Sequence, residues 1–126
     1  MKHITIEQAD SAAQSMGTEH FSGAATGAPL HRSDAPHAVN ASLVRFERGV
    51  QNNWHRHEGG QLLHVVEGEG WVQARSAAPI RLRPGDSVST AGAEEHWHGA
   101  TAQSSMAHLA FSLGETEWLE PSPPQT

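Results

Sequence analysis

Cysteine and tyrosine are both missing from this 126-residue chain. Without cysteine there is no disulfide framework, no thiolate zinc site and no cysteine nucleophile. Basic residues are scarce, eight Lys and Arg against fourteen Asp and Glu, for a formal charge of −6. That balance leaves no electrostatic footprint for nucleic acid or an anionic membrane. No apolar run approaches the roughly 20 residues of a membrane-spanning helix. The opening MKHITIEQADSAAQS lacks the apolar stretch of a signal peptide. The expectation is a soluble, cytoplasmic protein with one core and one domain.

Histidine is what the chain has in excess, ten residues in all. Six of them, His55, His57, His64, His96, His98 and His108, fall in one stretch. Residues 1–40 are poor in periodic apolar positions. Their stretch FSGAATGAPLHRSDAPH reads as an extended arm with turns, able to pair with a neighbouring subunit. A β domain is expected over 41–114, and a frayed tail over 115–126 ending in PSPPQT. Within the β domain, short strands alternate with turns. Ser42–Arg48 alternates in polarity, Gln61–Glu67 ends at Gly68-Glu69-Gly70, Ile80–Arg83 runs into Pro84-Gly85-Asp86, and Met106–Leu113 is apolar on both faces. Seven or eight such strands without a long amphipathic helix indicate an all-β sandwich or small barrel. Phe46, Leu63, Val65, Leu82, Val88, Ala110 and Phe111 are the expected buried layers, with Phe111 on the outer face.

The chemistry concentrates in WHRHEGGQ, residues 54–61, and EEHWHGA, residues 94–100. Side chains two apart on a strand share a face, so His55 and His57 can converge on one cation. Gln61 lies beyond a Gly59-Gly60 bend that can return its amide oxygen to the same point. His96 and His98 form a second pair. His64 has the opposite parity to Gln61 and should face away. Trp97 points out between His96 and His98, while Trp54 and Trp71 are read as packing. Trp118 and Leu119 are read as anchors of the tail. Glu58 is a candidate partner for a ligand imidazole. His3, His20, His31 and His37 default to the surface.

Residues 49–68 resemble the first conserved motif of the cupins. Gly49, His55, His57, position 61 and Gly68 fall at that motif's spacing. Gly85 and His96 match the second motif, with Ala91, Ala93 and Ala100 in place of its usual Pro, Gly and Asn. The resemblance implies a jelly-roll β-barrel with a metal in its mouth, and a homodimer or higher oligomer. Gln61 replaces the usual Glu, so the cation would keep its full charge and be held more weakly. Three imidazoles and an amide oxygen suit Mn²⁺ first, with Fe, Zn or Ni compatible.

GQLLHVVEGEGWVQ, PGDSVSTAGAEEHWHGA and SSMAHLAF together look like the small bacterial cupins that include manganese-dependent hydroxynitrile lyases. In that resemblance His55, His57, Gln61 and His96 are the metal ligands. His98 and His108 are the catalytic histidines, with His98 moving a proton near neutral pH and a cationic His98 or His108 receiving cyanide. Ser42, Val44 and Ser112 line the pocket of a small-molecule substrate. Ser112 stands where those lyases carry Gln, and Ser42 where they carry Ala. A cupin isomerase or dioxygenase acting on a sugar acid, and a non-catalytic ligand-binding cupin, are the alternatives.

Overall fold

The computed structural model describes residues 1–125. In chain order it contains α1 (Ile6–Ala12), β1 (Gln14–Ser15), β2 (Ala25–Arg32), β3 (Val39–Phe46), β4 (His55–His57), β5 (Gln61–Gly68), β6 (Gly70–Ala74), β7 (Ile80–Leu82), β8 (Ser87–Thr90), β9 (His96–Ala100), β10 (Met106–Leu113) and β11 (Thr116–Trp118). They form two antiparallel sheets. One runs β1-β2-β3-β10-β5-β8, the other β11-β4-β9-β6-β7. From β3 onward the chain crosses between the sheets at every connection but β6–β7, which is the jelly-roll arrangement expected.

Inward-facing residues of both sheets make one core. Phe46, Leu63, Val65, Val72, Leu82, Ala110 and Met106 are buried in it, with Val88 packed half-buried at its edge. Phe111 is half-buried and has the opposite parity to Ala110. A smaller cluster of Ala9, Ala28, Leu43 and Ala107 lies where α1 covers the six-stranded sheet. Thr5 starts this short helix. Its side chain accepts the Gln8 N–H while Gln8 returns its own side chain to the Thr5 N–H.

The segment read as an arm is ordered sheet. β2 pairs along β3 from Ala25↔Phe46 to Arg32↔Asn40, so it lies inside the fold of this chain. β2 reads ATGAPLHR, with little β-branched or alternating apolar character, so its pairing beside β3 supplies a strand that the sequence pattern hides.

The tail is held rather than frayed. β11 pairs with β4, Trp118 opposite His55, and the Leu119 N–H donates to the Trp54 carbonyl at 2.8 Å. Beyond it the Gln51 side chain donates to Ser122 Oγ at 2.6 Å and the Gln125 N–H donates to Gln51 Oε1 at 3.0 Å. Proline-rich segments make few bonds of their own, so only a partner such as buried Gln51 can fix them. Thr126 lies outside the described residues.

Candidate metal centre

β4 and β9 are neighbours in the five-stranded sheet, with His55 directly opposite His96. Because the strands are antiparallel, His57 and His98 flank that pair on opposite sides. Their spacing by two keeps all four imidazoles on the inner face. Gln61 reaches them from the facing sheet. The chain leaves β4, turns at Gly60 with φ +90°, and enters β5. A Cβ at Gly60 would run into the Thr90 carbonyl, so the turn needs glycine. Ala93, where the second motif usually has Gly, also adopts a positive φ of 62° and donates its N–H to the His57 carbonyl at 2.8 Å.

The hydrogen bonds decide which nitrogens are available. His55 Nδ1–H donates to the Asn53 carbonyl at 2.7 Å, and His96 Nδ1–H to the Glu94 carbonyl at 3.0 Å. Both rings therefore turn the Nε2 lone pair inward. His57 Nδ1 is hydrogen-bonded to Thr116 Oγ1 at 2.8 Å, and its buried Nε2 has no partner. Gln61 donates Nε2–H to Ser112 Oγ at 3.0 Å and points Oε1 at His96 Nε2, 2.9 Å away. Two lone pairs that face each other repel unless a positive charge lies between or beside them. A cation answers both this pair and the unpartnered His57 nitrogen, so these four residues fit a metal ion.

The three-histidine group brought together here differs from the sequence expectation. Nitrogens of His55, His96 and His98 lie within 4.8 Å of one another, with His98 in the place expected for His57. His98, however, is already engaged. Its Nδ1 is 3.1 Å from His108 Nε2, its backbone N–H donates to Asn52 Oδ1 at 2.9 Å, and Asn52 Nδ2 lies 3.3 Å from its Nε2. Proximity comes from the cross-strand pairing, whereas open donor atoms lie on the His57 and Gln61 flank.

Burial favours the uncharged form of every one of these imidazoles. Burial pushes His55, His57, His96, His98 and His108 below the ordinary 6.5, reaching about 4 for His57 and His108. Mutual repulsion adds to burial, from His96 on His55 and His57, and from His108 on His98. The expectation that His98 titrates near neutral pH is thereby corrected. His108 is 0% exposed, and a charge there would be stripped of water on every side.

The centre opens into a cavity of about 250 Å³. Ser42, Val44 and Ser112 line it, as expected, together with His98 and His108. No Lys or Arg is among its lining residues. Four further contributors were not anticipated. Asn52 braces His98, and Thr116 braces His57. Trp118 packs on His55 with ring centres 4.7 Å apart, and Phe21 closes the apolar side. Asn52 sits in the first motif's turn region, which was the available signal. Thr116 and Trp118 carried none, since their strand forms only by pairing with β4. His20 stacks on Trp118 at 4.5 Å instead of standing free.

The remaining residues sort as follows. His64 turns away and bonds Ser87 Oγ at 2.7 Å. Trp97 is 0% exposed and donates to Gln73 Oε1 at 2.8 Å. Trp54 lies under the Arg75 guanidinium, 4.0 Å from its ring centre. Glu58 is exposed and makes no side-chain bond to a histidine, so Thr116 fills the bracing role considered for it.

An antiparallel double-sheet barrel with inward histidines from adjacent strands defines the cupin class. The chain belongs to the cupin domain family, which matches residues 42–112. It is 38% identical over 122 residues to a protein named (R)-mandelonitrile lyase from Granulicella tundricola, covering 93% of each chain. Among solved structures it is similar to a cupin-like protein from Thermotoga maritima. That likeness has 30% identity, a TM-score of 0.81, and covers 87% of this chain and 86% of the other. It shares its fold, at 13% identity and a TM-score of 0.74, with an acetylacetone dioxygenase from Acinetobacter johnsonii, covering 95% of this chain and 78% of that one. No helix among the described residues is long and apolar enough to cross a membrane.

Proposed function

We propose that this protein is a metal-dependent lyase that cleaves cyanohydrins to a carbonyl compound and hydrogen cyanide. One observation carries the reading. His57 Nε2 is buried without a partner and Gln61 Oε1 faces His96 Nε2 at 2.9 Å, beside a hydrogen-bonded His98–His108 pair. The first four would hold one divalent cation, with Mn²⁺ favoured by the imidazole and amide-oxygen donors and Fe, Zn or Ni compatible. Bound there, it supplies Lewis-acid stabilisation for negative charge developing on a substrate oxygen.

The remaining steps belong to the chain. His98 starts neutral, so it can accept the hydroxyl proton at Nε2 in place of the Asn52 amide contact, while Nδ1 stays bonded to His108 Nε2. The bond from the carbinol carbon to the nitrile carbon breaks, and its electron pair leaves with cyanide. The proton then passes from His98 to cyanide. One O–H and one C–C bond break, a C=O π bond and an H–C bond form, and nothing is oxidised. Asn52 holds the His98 backbone in place during both transfers.

The substrate reading rests on the cavity. A volume of about 250 Å³ without a lining Lys or Arg suits a small neutral molecule and offers a sugar-acid carboxylate no cationic side chain. The similarity to a named mandelonitrile lyase supports the same choice. Homo-oligomerisation belongs to this proposal too. Leu62, Val66 and Leu113 are exposed apolar residues of the six-stranded sheet, and light scattering on the purified protein tests it.

The test is cyanide release from racemic mandelonitrile at a pH low enough to suppress spontaneous decay. Mn²⁺-loaded protein should release cyanide, while chelated protein and His55→Ala should fall to background. Release that is indifferent to both would refute the proposal.

A further inference from the structure

We propose that Ser112 is a specificity-determining hydrogen-bond donor whose direction is set by Gln61. The pocket then selects neutral substrates that carry a second acceptor atom beside the oxygen at the metal centre. This rests on the metal-centre reading above.

The argument follows the hydrogens. Gln61 has two unlike ends. Its Oε1 faces His96 Nε2 at 2.9 Å, and its Nε2 therefore faces Ser112 Oγ at 3.0 Å. An amide N–H can only donate, so Ser112 Oγ must accept it. A hydroxyl whose oxygen receives one bond still has its own proton to give. Gln61 is the only hydrogen-bond partner of that oxygen among the described residues. Ser112 is 8% exposed and lines the cavity, so its proton is directed at whatever occupies that space. Gln61 thus links the metal centre to a donor on the opposite wall.

The surroundings define the ligand further. Ser112 lies opposite Asn40 in the β3–β10 ladder, and Ser42 is two rungs away on the same face, opposite Ala110. These residues form a polar wall. Phe21, Val44 and Trp118 supply the apolar wall of the same cavity. A fitting molecule presents an apolar group to the second wall and an oxygen or nitrogen lone pair to Ser112. A molecule with carbon at that point leaves a desolvated O–H unpaired, which is the stronger form of discrimination.

A carboxylate at position 61 would reverse this relay. It cannot donate, so it would accept the Ser112 proton and leave Ser112 presenting a lone pair to the cavity. Gln61→Glu should therefore remove the preference while Ser112 is still in place. No merely structural role for Ser112 makes that prediction.

The experiment compares two unreactive ketones of matched shape, 2-methoxyacetophenone and butyrophenone, which differ by an ether oxygen in place of a methylene. Their dissociation constants are measured by calorimetry on the full chain, with and without Mn²⁺. Wild type should prefer the ether about tenfold, roughly the worth of one net hydrogen bond. Ser112→Ala should bind the two within about twofold, a loss of that same single bond. Ser112→Thr should retain the preference, and Gln61→Glu should lose it. A tenfold preference surviving in Ser112→Ala or Gln61→Glu would overturn the proposal, as would its absence from wild type. The metal-centre reading is judged separately. It fails if Mn²⁺ changes neither affinity in wild type, whatever the ratio between the ketones.

Discussion

The two flanks of the His55–His96 pair are built from the same residue type and are suited to different work. On one flank His57 is braced at Nδ1 by Thr116 and leaves Nε2 unpartnered, with Gln61 Oε1 nearby. On the other, His98 is engaged by Asn52 and by His108. Open lone pairs suit a cation. A hydrogen-bonded neutral pair suits proton transfer. The lesson is that residue type and proximity do not assign a histidine; the partner of its second nitrogen does.

The comparison breaks most sharply in a pair of variants. His98→Ala should keep Mn²⁺ binding within about twofold and lose 10²–10⁴-fold in turnover, the usual range for a removed proton carrier. His57→Ala should instead weaken Mn²⁺ binding by more than about 100-fold, beyond the loss of a bracing residue alone. Metal analysis after gel filtration, beside cyanide assays, separates the two. Equal metal loss in both variants would return His98 to the ligand set.

A pH experiment on metal-free protein tests both flanks together. His57 and His108 protonate near 6.5 when unfolded and at about 4 when folded. Between those values the unfolded chain binds more protons, so stability rises with pH. It is complete above about 6.5 and declines until about 4, where both states are protonated. Each of the two groups accounts for about 3 kcal/mol over that window. Urea unfolding of chelated protein at pH 5 and 7.5 samples about 2 kcal/mol of that loss per group, and His57→Asn should reduce it by one such share. A flat profile would contradict the buried, neutral cluster.

The smallest expected effect sharpens the bracing argument. Thr116→Val removes the partner of His57 Nδ1 while preserving shape. Mn²⁺ affinity should fall about tenfold, at the low end for such a contact. Turnover of the fully loaded protein should change little. An unchanged affinity would mean that His57 holds its orientation through packing alone.

Much of this site was legible in the chain. The pairs His55/His57 and His96/His98 declare themselves through a spacing of two, because strand geometry puts such residues on one face whatever the rest of the fold does. Gly60 and Gly68 mark the turns for an equally local reason, a positive φ. The barrel core followed from alternation, as Phe46, Leu63 and Val65 illustrate. β2 escaped because Ala25, Gly27, Ala28 and Pro29 have no strand preference of their own and are held extended only beside β3. The tail escaped because its partners, Gln51 and Trp54, lie far away in the chain.

What the sequence determined by itself was therefore everything with a short period: the alternating strands, the turns, the histidine faces and the family. Only the tertiary structure decided that His55 stands opposite His96, that Asn52 and Thr116 engage flanking histidines, and that Gln61 turns its oxygen inward. It also decided charge. Whether an imidazole is neutral depends on the water removed around it, and that is set by every element packed against it rather than by its neighbours in the chain.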